Sequence, residues 1–435
     1  MRRLFQTFYV AVGLFFAFYT TLEFSLRAEE TNPDLRTVME SARRAAWERF
    51  YSPETRLFYD FLQSHEPGES LAHLPTRDEV ENLYPNPCGY GTAMEDCAIS
   101  GGGALEALID RYKAEESDGA SRELLEQIKR EAREVFLGLR LLVTVSGSPG
   151  FVARGVSPKA PDLCYINSSR DQVTHLTLAV WEYYRSPLVD VETRALCAEI
   201  LYAIADRMTR NVTPENDYDF LCCDGSRCRF GICRMWNVED HEAARLVAIY
   251  ATASDVARRE GNEEREREYD ARYQERAREA IAQSAHIKEN PALYNRMPSY
   301  AFLQMQESLA VLYRLETNPE LRAQLLDATR FVSERVKLRF DGALQRLKSR
   351  DQTVVAPDWR QAGGLNGEYR ATWYTTRECG EIALTILLDP SDSFDSDCAQ
   401  KLVDALKVPD YDKLTSCGLL RLLGAYEKAR LLKKL

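Results

Sequence analysis

"THLTLAVWEYY", residues 174–184, decides the fold. Wound into a helix of 3.6 residues per turn, its leucines, alanine, valine, tryptophan and tyrosines point in nearly every direction. A helix that is apolar on all sides is a buried one. Just upstream lies the opposite kind of sequence, "YINSSRDQVTH" at 165–175, where Tyr, Asn, Ser, Arg, Asp, Gln and His crowd together. A buried helix that starts in such a cluster has either a dense cap or the rim of a site at its beginning.

Working outward, helical spacing predicts twelve segments near 34–51, 94–114, 121–146, 169–186, 189–211, 238–259, 263–286, 299–316, 319–338, 376–389, 396–407 and 414–432. Strand patterns are confined to connections such as "TRLFYDFL". The helices alternate in character. Odd-numbered ones are amphipathic, and "EEREREYDARYQERAREAI" mixes charges of both signs at helical spacing, as a solvated outer face does. Even-numbered ones, "AISGGGALEALI", "THLTLAVWEYY", "EAARLVAIYATA", "AFLQMQESLAVLY", "EIALTILLD" and "SCGLLRLLGAY", are apolar or small most of the way round. Six exposed helices alternating with six buried ones predict an all-α (α/α)6 barrel. It would fill residues 29–435 as one domain of two concentric rings, with the long loops at one mouth.

This pattern resembles the six-hairpin glycosidase-like superfamily of α/α toroids. The resemblance is architectural, spans nearly the whole chain after residue 28, and rests on no family-specific motif. Such toroids include glycoside hydrolases, unsaturated uronyl hydrolases, polysaccharide lyases and sugar epimerases, so the resemblance implies a carbohydrate ligand and no particular reaction.

The first 28 residues read differently. Arg2 and Arg3 precede an uncharged run from Leu4 to Leu22, and Ala28 offers a cleavage point, as in a secretory signal peptide. The same run is long enough to serve as an uncleaved membrane anchor. Both readings predict an exported protein, periplasmic or extracellular. The formal charge of −11, with no basic stripe, argues against nucleic acid or anionic lipid as a partner. Eleven cysteines in an exported chain favour disulfides. The densest group, "CCDGSRCRFGIC" at 222–233, sits in a loop near 212–237. It lacks the paired C-x-x-C spacing of common zinc sites, which makes a stapled loop the first reading and a metal site the second. No sequence feature calls for a metal or an organic cofactor, and none sets the oligomeric state.

The loops entering the buried helices, at 52–93, 147–168, 212–237, 287–298 and 339–375, are long and hold many aromatics. At the helix entries Thr92-x-x-Glu95, Ser168-x-x-Asp171, Asn237-x-x-Asp240 and Thr375-x-x-Glu378 each place a capping residue three before an acid. Capping explains one acid per entry, and a helix dipole welcomes it. It does not explain the flanking Asp96, Arg170, His241 and Arg377. A glycosidase needs an acid and a carboxylate facing each other across a sugar. The expected catalytic set is therefore Asp96, Asp171 and Asp240. Arg154, Arg170 and Arg377 have the fork that binds acidic substituents. Tyr165, Trp236, Tyr300 and Trp373 offer flat faces for sugar rings, and His241 a proton-transfer group; His175, one turn below Asp171, is a further candidate, as readily a buried structural His. Hydrolysis, elimination by a lyase using Tyr300 or His241 as base, and non-catalytic sugar binding by an envelope scaffold all remain open at this level.

Overall fold

The computed structural model describes residues 34–66, 68–228, 231–362 and 367–435. The signal-like segment 1–28 lies outside them. In chain order the helices are α1 (Leu35–Ala45), α2 (Arg77–Glu81), α3 (Cys97–Ser117), α4 (Arg122–Thr144), α5 (Arg170–Arg185), α6 (Val191–Asn211), α7 (Ala244–Glu260) and α8 (Glu263–His286). There follow α9 (Pro291–Tyr294), α10 (Ser299–Leu315), α11 (Pro319–Lys337), α12 (Phe340–Ser349), α13 (Trp359–Ala362), α14 (Gly367–Leu387), α15 (Ser396–Leu406) and α16 (Leu419–Leu431). A two-stranded hairpin pairs β1 (Tyr51–Ser52) with β2 (Leu57–Phe58), inside the "TRLFYDFL" neighbourhood. The protein is all-α in class, and among the described residues no helix is long and apolar enough to cross a membrane.

The alternation of helix types is real. Every residue of α7 from Ala244 to Ala257 is buried, whereas α8 buries a stripe of Tyr269, Tyr273, Ala277, Ala280, Ile281 and Ser284 and leaves the rest exposed or half-buried. The apolar helices pack in sequence order: α3 on α5, α5 on α7, α7 on α10, α10 on α14 and α14 on α16. The last of them, α16, packs on α3, so the series of contacts returns to its start. The amphipathic helices lie against these: α4 on α3, α6 on α5 and α7, α8 on α7, α11 on α10 and α14, and α1 on α16.

Three glycines let α3 serve three neighbours at once. Successive helical residues are about 100° apart, and a Cβ on Gly101 would meet Leu139 of α4 at 2.8 Å. One on Gly102 would lie 3.1 Å from the His175 carbonyl of α5, and one on Gly103 2.9 Å from the Arg421 guanidinium of α16. The triplet costs helix propensity and gains close approach on three sides.

Several expectations need correction. The eleventh and twelfth segments hold, but α14 starts nine residues before the expected 376, so Trp373, Tyr374 and Arg377 sit within a helix and not at its entry. The expected loop 339–375 contains α12, whose Phe340, Ala343, Leu344 and Leu347 form a buried i, i+3, i+4, i+7 face. The shared capping boxes also fail. Asp96, the residue before α3, makes no side-chain cap, and neither does Glu239 before the 3-10 turn Asp240–Glu242. Ser169 caps α5 through the Gln172 amide, while Ser168 donates instead to the Val152 carbonyl at 2.5 Å. A full capping box does occur, at Thr76 and Glu79 of α2.

Candidate functional site

The polar entries of α5, α7 and α10 nevertheless gather at one end of the apolar helices. A cavity of about 430 Å³ opens there, lined by Asp171, His241, Arg245, Tyr300 and Gln304 with Tyr90 and Ser169 at its edge. Asp171 of α5 is ion-paired with Arg245 of α7, and Arg245 Nη2 donates to Gln304 Oε1 of α10 at 2.8 Å. Three helices are thus joined by one guanidinium that is 1 % exposed. The Asp171 side chain is 32 % exposed, so the carboxylate faces the cavity while its partner is buried. Burial alone would push this carboxyl up, but the charge and hydrogen bond of Arg245 outweigh it and hold Asp171 down at about 2.

A second carboxylate, Asp96, is outside the cavity lining and is held by its own arginines. Asp96 Oδ1 accepts from Arg154 Nη2 at 3.1 Å and from Gln172 Nε2 at 2.9 Å, and Arg377 Nη1 lies 3.7 Å from Asp96 Oδ2. Arg154 also donates to Ser169 Oγ at 2.9 Å. The Tyr90 ring covers Arg154 at 4.4 Å, and Arg377 lies over Trp373 at 4.9 Å and Tyr300 at 5.5 Å. The hydroxyls of Tyr90 and Tyr300 each feel the charges of both Asp96 and Asp171. Tyr90 and Tyr300 thus lie within electrostatic reach of both acids.

Asp240 does not join them. Its Oδ2 faces His286 Nδ1 and Asn290 Nδ2, each at 3.2 Å, on the outer side of the 3-10 turn. Of the other expected ligand residues, Arg170 lines the cavity but is tied up by partners, while Tyr165 and Trp236 lie outside it. Arg170 is ion-paired with Glu242 and donates to the Gly231 carbonyl at 2.8 Å, which ties α5 to the Cys-rich loop. Tyr165 is buried against Gly89 and donates to the Tyr84 carbonyl at 2.5 Å. Trp236 is half-buried, lies under Arg276 at 5.3 Å and is not part of the cavity lining. His241 does line the cavity. Burial pushes its imidazole down to about 4, and its Nδ1 has no hydrogen-bond partner. His175 faces the other way, its Nδ1 2.9 Å from Glu307 Oε2 in the interior.

Sequence reasoning passed over Asp60, Glu95, Arg245 and Gln304. Asp60 is buried and accepts the Asp96 amide at 3.1 Å. Its burial, then the charges of Asp96 and Glu95, push its carboxyl well above the usual range. Glu95, assigned to a cap, accepts from the Gly91 amide at 2.9 Å with one oxygen and leaves the other unpartnered. Burial, then the Asp96 charge, push it up to about 7. The signal that could have found them is a charge where none belongs: Arg245 inside "EAARLVAIYATA" and Asp60 inside "RLFYDFL".

A larger cavity of about 660 Å³ lies at the other end, near the C-terminal turns of α3, α5, α10 and α16. Much of its charge is paired across the wall, Lys428 with Asp110 at 2.8 Å and Arg314 with Glu182. Helix C-termini carry the negative end of the dipole and repel an acidic ligand. The smaller cavity, at helix N-termini, is the better candidate for one. Among the described residues no group of three or more His, Cys, Asp or Glu side chains is arranged to hold a metal ion. No protein-family model, no curated protein and no solved structure matches the chain.

Proposed function

We propose that the protein is an exported glycoside hydrolase built as an (α/α)6 barrel, acting on acidic or substituted oligosaccharides at the smaller cavity. Support for the barrel comes from the closed order of contacts among α3, α5, α7, α10, α14 and α16, with amphipathic helices against them. Export is supported by the signal-like pattern of residues 1–28.

One observation carries the reaction. Two carboxyl groups at the starts of α5 and α3 are driven apart, Asp171 down to about 2 and Glu95 up to about 7. Such divergence is how a site keeps one carboxyl ionised and another protonated at the same pH. Asp171, ionised throughout, is then the carboxylate that attacks the sugar or stabilises its developing positive charge. The proton for the leaving oxygen comes from the Asp60, Glu95 and Asp96 group, with Asp96 the member nearest the mouth. Tyr90 and Tyr300 offer faces to the sugar ring, and Arg245, Arg154 and Arg377, each already paired with a carboxylate, are the guanidinium forks nearest an acidic substituent.

Elimination has weaker support. Burial pushes Tyr300 up to about 12 and His241 down to about 4, which leaves neither as an effective base near neutral pH. The test is incubation of the full chain with a panel of acidic oligosaccharides, reading both new reducing ends and ultraviolet absorbance. New reducing ends without absorbance support hydrolysis. Absorbance from a new double bond replaces it by a lyase. Binding that survives Asp171→Asn, with neither product, makes the protein a sugar-binding scaffold.

A further inference from the structure

Six of the eleven cysteines meet beside the mouth. Cys88 belongs to the turn that carries Tyr90, Cys164 to the stretch leading into α5, and Cys222, Cys223, Cys228 and Cys233 to the loop whose carbonyl holds Arg170. All six are thiols in this structure. The Asn167 amide gathers one group. Its Nδ2 lies 3.3 Å from Cys88 Sγ and 3.6 Å from Cys228 Sγ, while Cys222 Sγ donates to its Oδ1 at 2.8 Å. Cys233 Sγ lies 3.3 Å from the Ser168 carbonyl next door. The neighbouring Cys223 turns the other way, and its backbone amide donates to the Ile166 carbonyl at 3.1 Å, two residues from Cys164.

Thiol contacts narrow the pairing further. Cys88 is hydrogen-bonded to Cys228, Cys222 to both Cys228 and Cys233, Cys233 to Cys228, and Cys164 to Cys223. Four cysteines allow three connectivities. Among the described contacts, just one of these joins touching thiols in both bridges. We propose that the mature protein carries three disulfides, Cys88–Cys228, Cys222–Cys233 and Cys164–Cys223, which clamp the Cys-rich loop onto the wall of the cavity.

Each bridge forms when two thiols give two protons and two electrons to a disulfide-bearing oxidant, which leaves as two thiols. A metal thiolate is the competing outcome. Among the described residues no group of three or more Cys, His, Asp or Glu side chains is arranged to hold a metal ion, and the Asn167 amide contacts three of the four sulfurs. The bridges join three segments that are far apart in sequence, so they restrict the unfolded chain and fix the Tyr90 turn and the α5 entry relative to each other. Cys97, Cys197, Cys379, Cys398 and Cys417 have no place in this scheme and stay thiols. The inference does not depend on the glycosidase reading.

The test begins with full-length chain made in a reducing cytosol and then incubated with a mixture of oxidised and reduced glutathione. Thiols titrated in denaturant should fall from eleven to five. Trypsin digestion without reduction should then yield the Cys88 peptide joined to the Cys228 peptide. The peptide bearing Cys222 and Cys223 should be joined to both the Cys164 and the Cys233 peptides. Cys164→Ser should free Cys223 alone, and Cys233→Ser should free Cys222 alone. The peptide map of the unaltered chain stands even where a variant fails to fold. A count other than five, different partners, or four thiols released only when a chelator removes bound zinc would overturn the proposal.

Discussion

Asp171 and Arg245 act as a unit, and their energetics follow from where each sits. The arginine is buried and the carboxylate faces the cavity, so removing either strands the other in a different way. Asp171→Asn keeps the shape and removes the charge. It should lower kcat about 10²–10⁴-fold while a thermal melt shows the fold intact. Arg245→Met removes the main counter-charge and leaves burial opposed only by Arg170 and His175, so the Asp171 pKa rises from about 2. The acid limb of the pH–activity profile should move up by roughly two pH units or more. Glu95 gives the opposite sign. Its folded value of about 7 exceeds the unfolded one, so its contribution to stability is complete at low pH and is lost as pH rises through about 7. The fall in melting temperature from pH 5 to pH 8 should therefore be smaller in Glu95→Gln than in the unaltered protein. At this scale the sequence was half legible. Asp96, Asp171, Arg154 and Arg377 stood out by position. Asp60 and Glu95 did not, because their importance comes from burial and from each other's charge, which no spacing encodes.

Helix contacts carry their own tests. On α14, a Cβ at Gly380 would lie 2.3 Å from the Arg421 backbone carbon of α16, and backbone cannot turn aside. Gly380→Ala should destabilise by about 1–3 kcal/mol in denaturant unfolding. Gly424 on α16 faces the same partner helix, yet its added Cβ would meet Leu384 at an ordinary 3.6 Å. Gly424→Ala should be neutral or stabilise by up to about 1 kcal/mol through helix propensity. Opposite outcomes at two glycines of one contact would show that approach distance, and not composition, sets the cost. Twelve of the helices were readable because burial writes a 3.6-residue period into sequence. The start of α14 was not, since "GEYRATWYTT" mixes polar and aromatic residues on a helix whose first turns border the mouth. The four repeated cap patterns were misleading for a related reason. Ser, Thr and Asn serve turns as well as caps, and Thr92 spends its hydroxyl on the Gly89 carbonyl at 2.7 Å.

For the molecule as a whole, the alternation of buried and exposed helices was legible, and so was the all-α class. Contact order was not, because any pair of apolar faces satisfies the same hydrophobic pattern. What selects the partners is local: the three glycines of α3, each against a different helix, and ion pairs such as Arg43 with Glu427 between α1 and α16. Because α16 covers both α3 and α14, deletion of residues 419–435 should abolish cooperative unfolding of the entire chain, read by near-ultraviolet circular dichroism and a melt. Retention of a sharp transition would mean that the helices are held in independent groups.

Glu115, at the end of α3, receives Arg36 from the first helix and Arg430 from the last, each at 2.9 Å. Position along the chain becomes a matter of time here. During synthesis the surface of α3 that meets α16 has nothing to cover it until the final helix emerges. At about 5–20 residues per second that wait lasts on the order of 15–60 s. Glu115 then acts as a late latch, joining the start of the helical series to its end through Arg36 and Arg430.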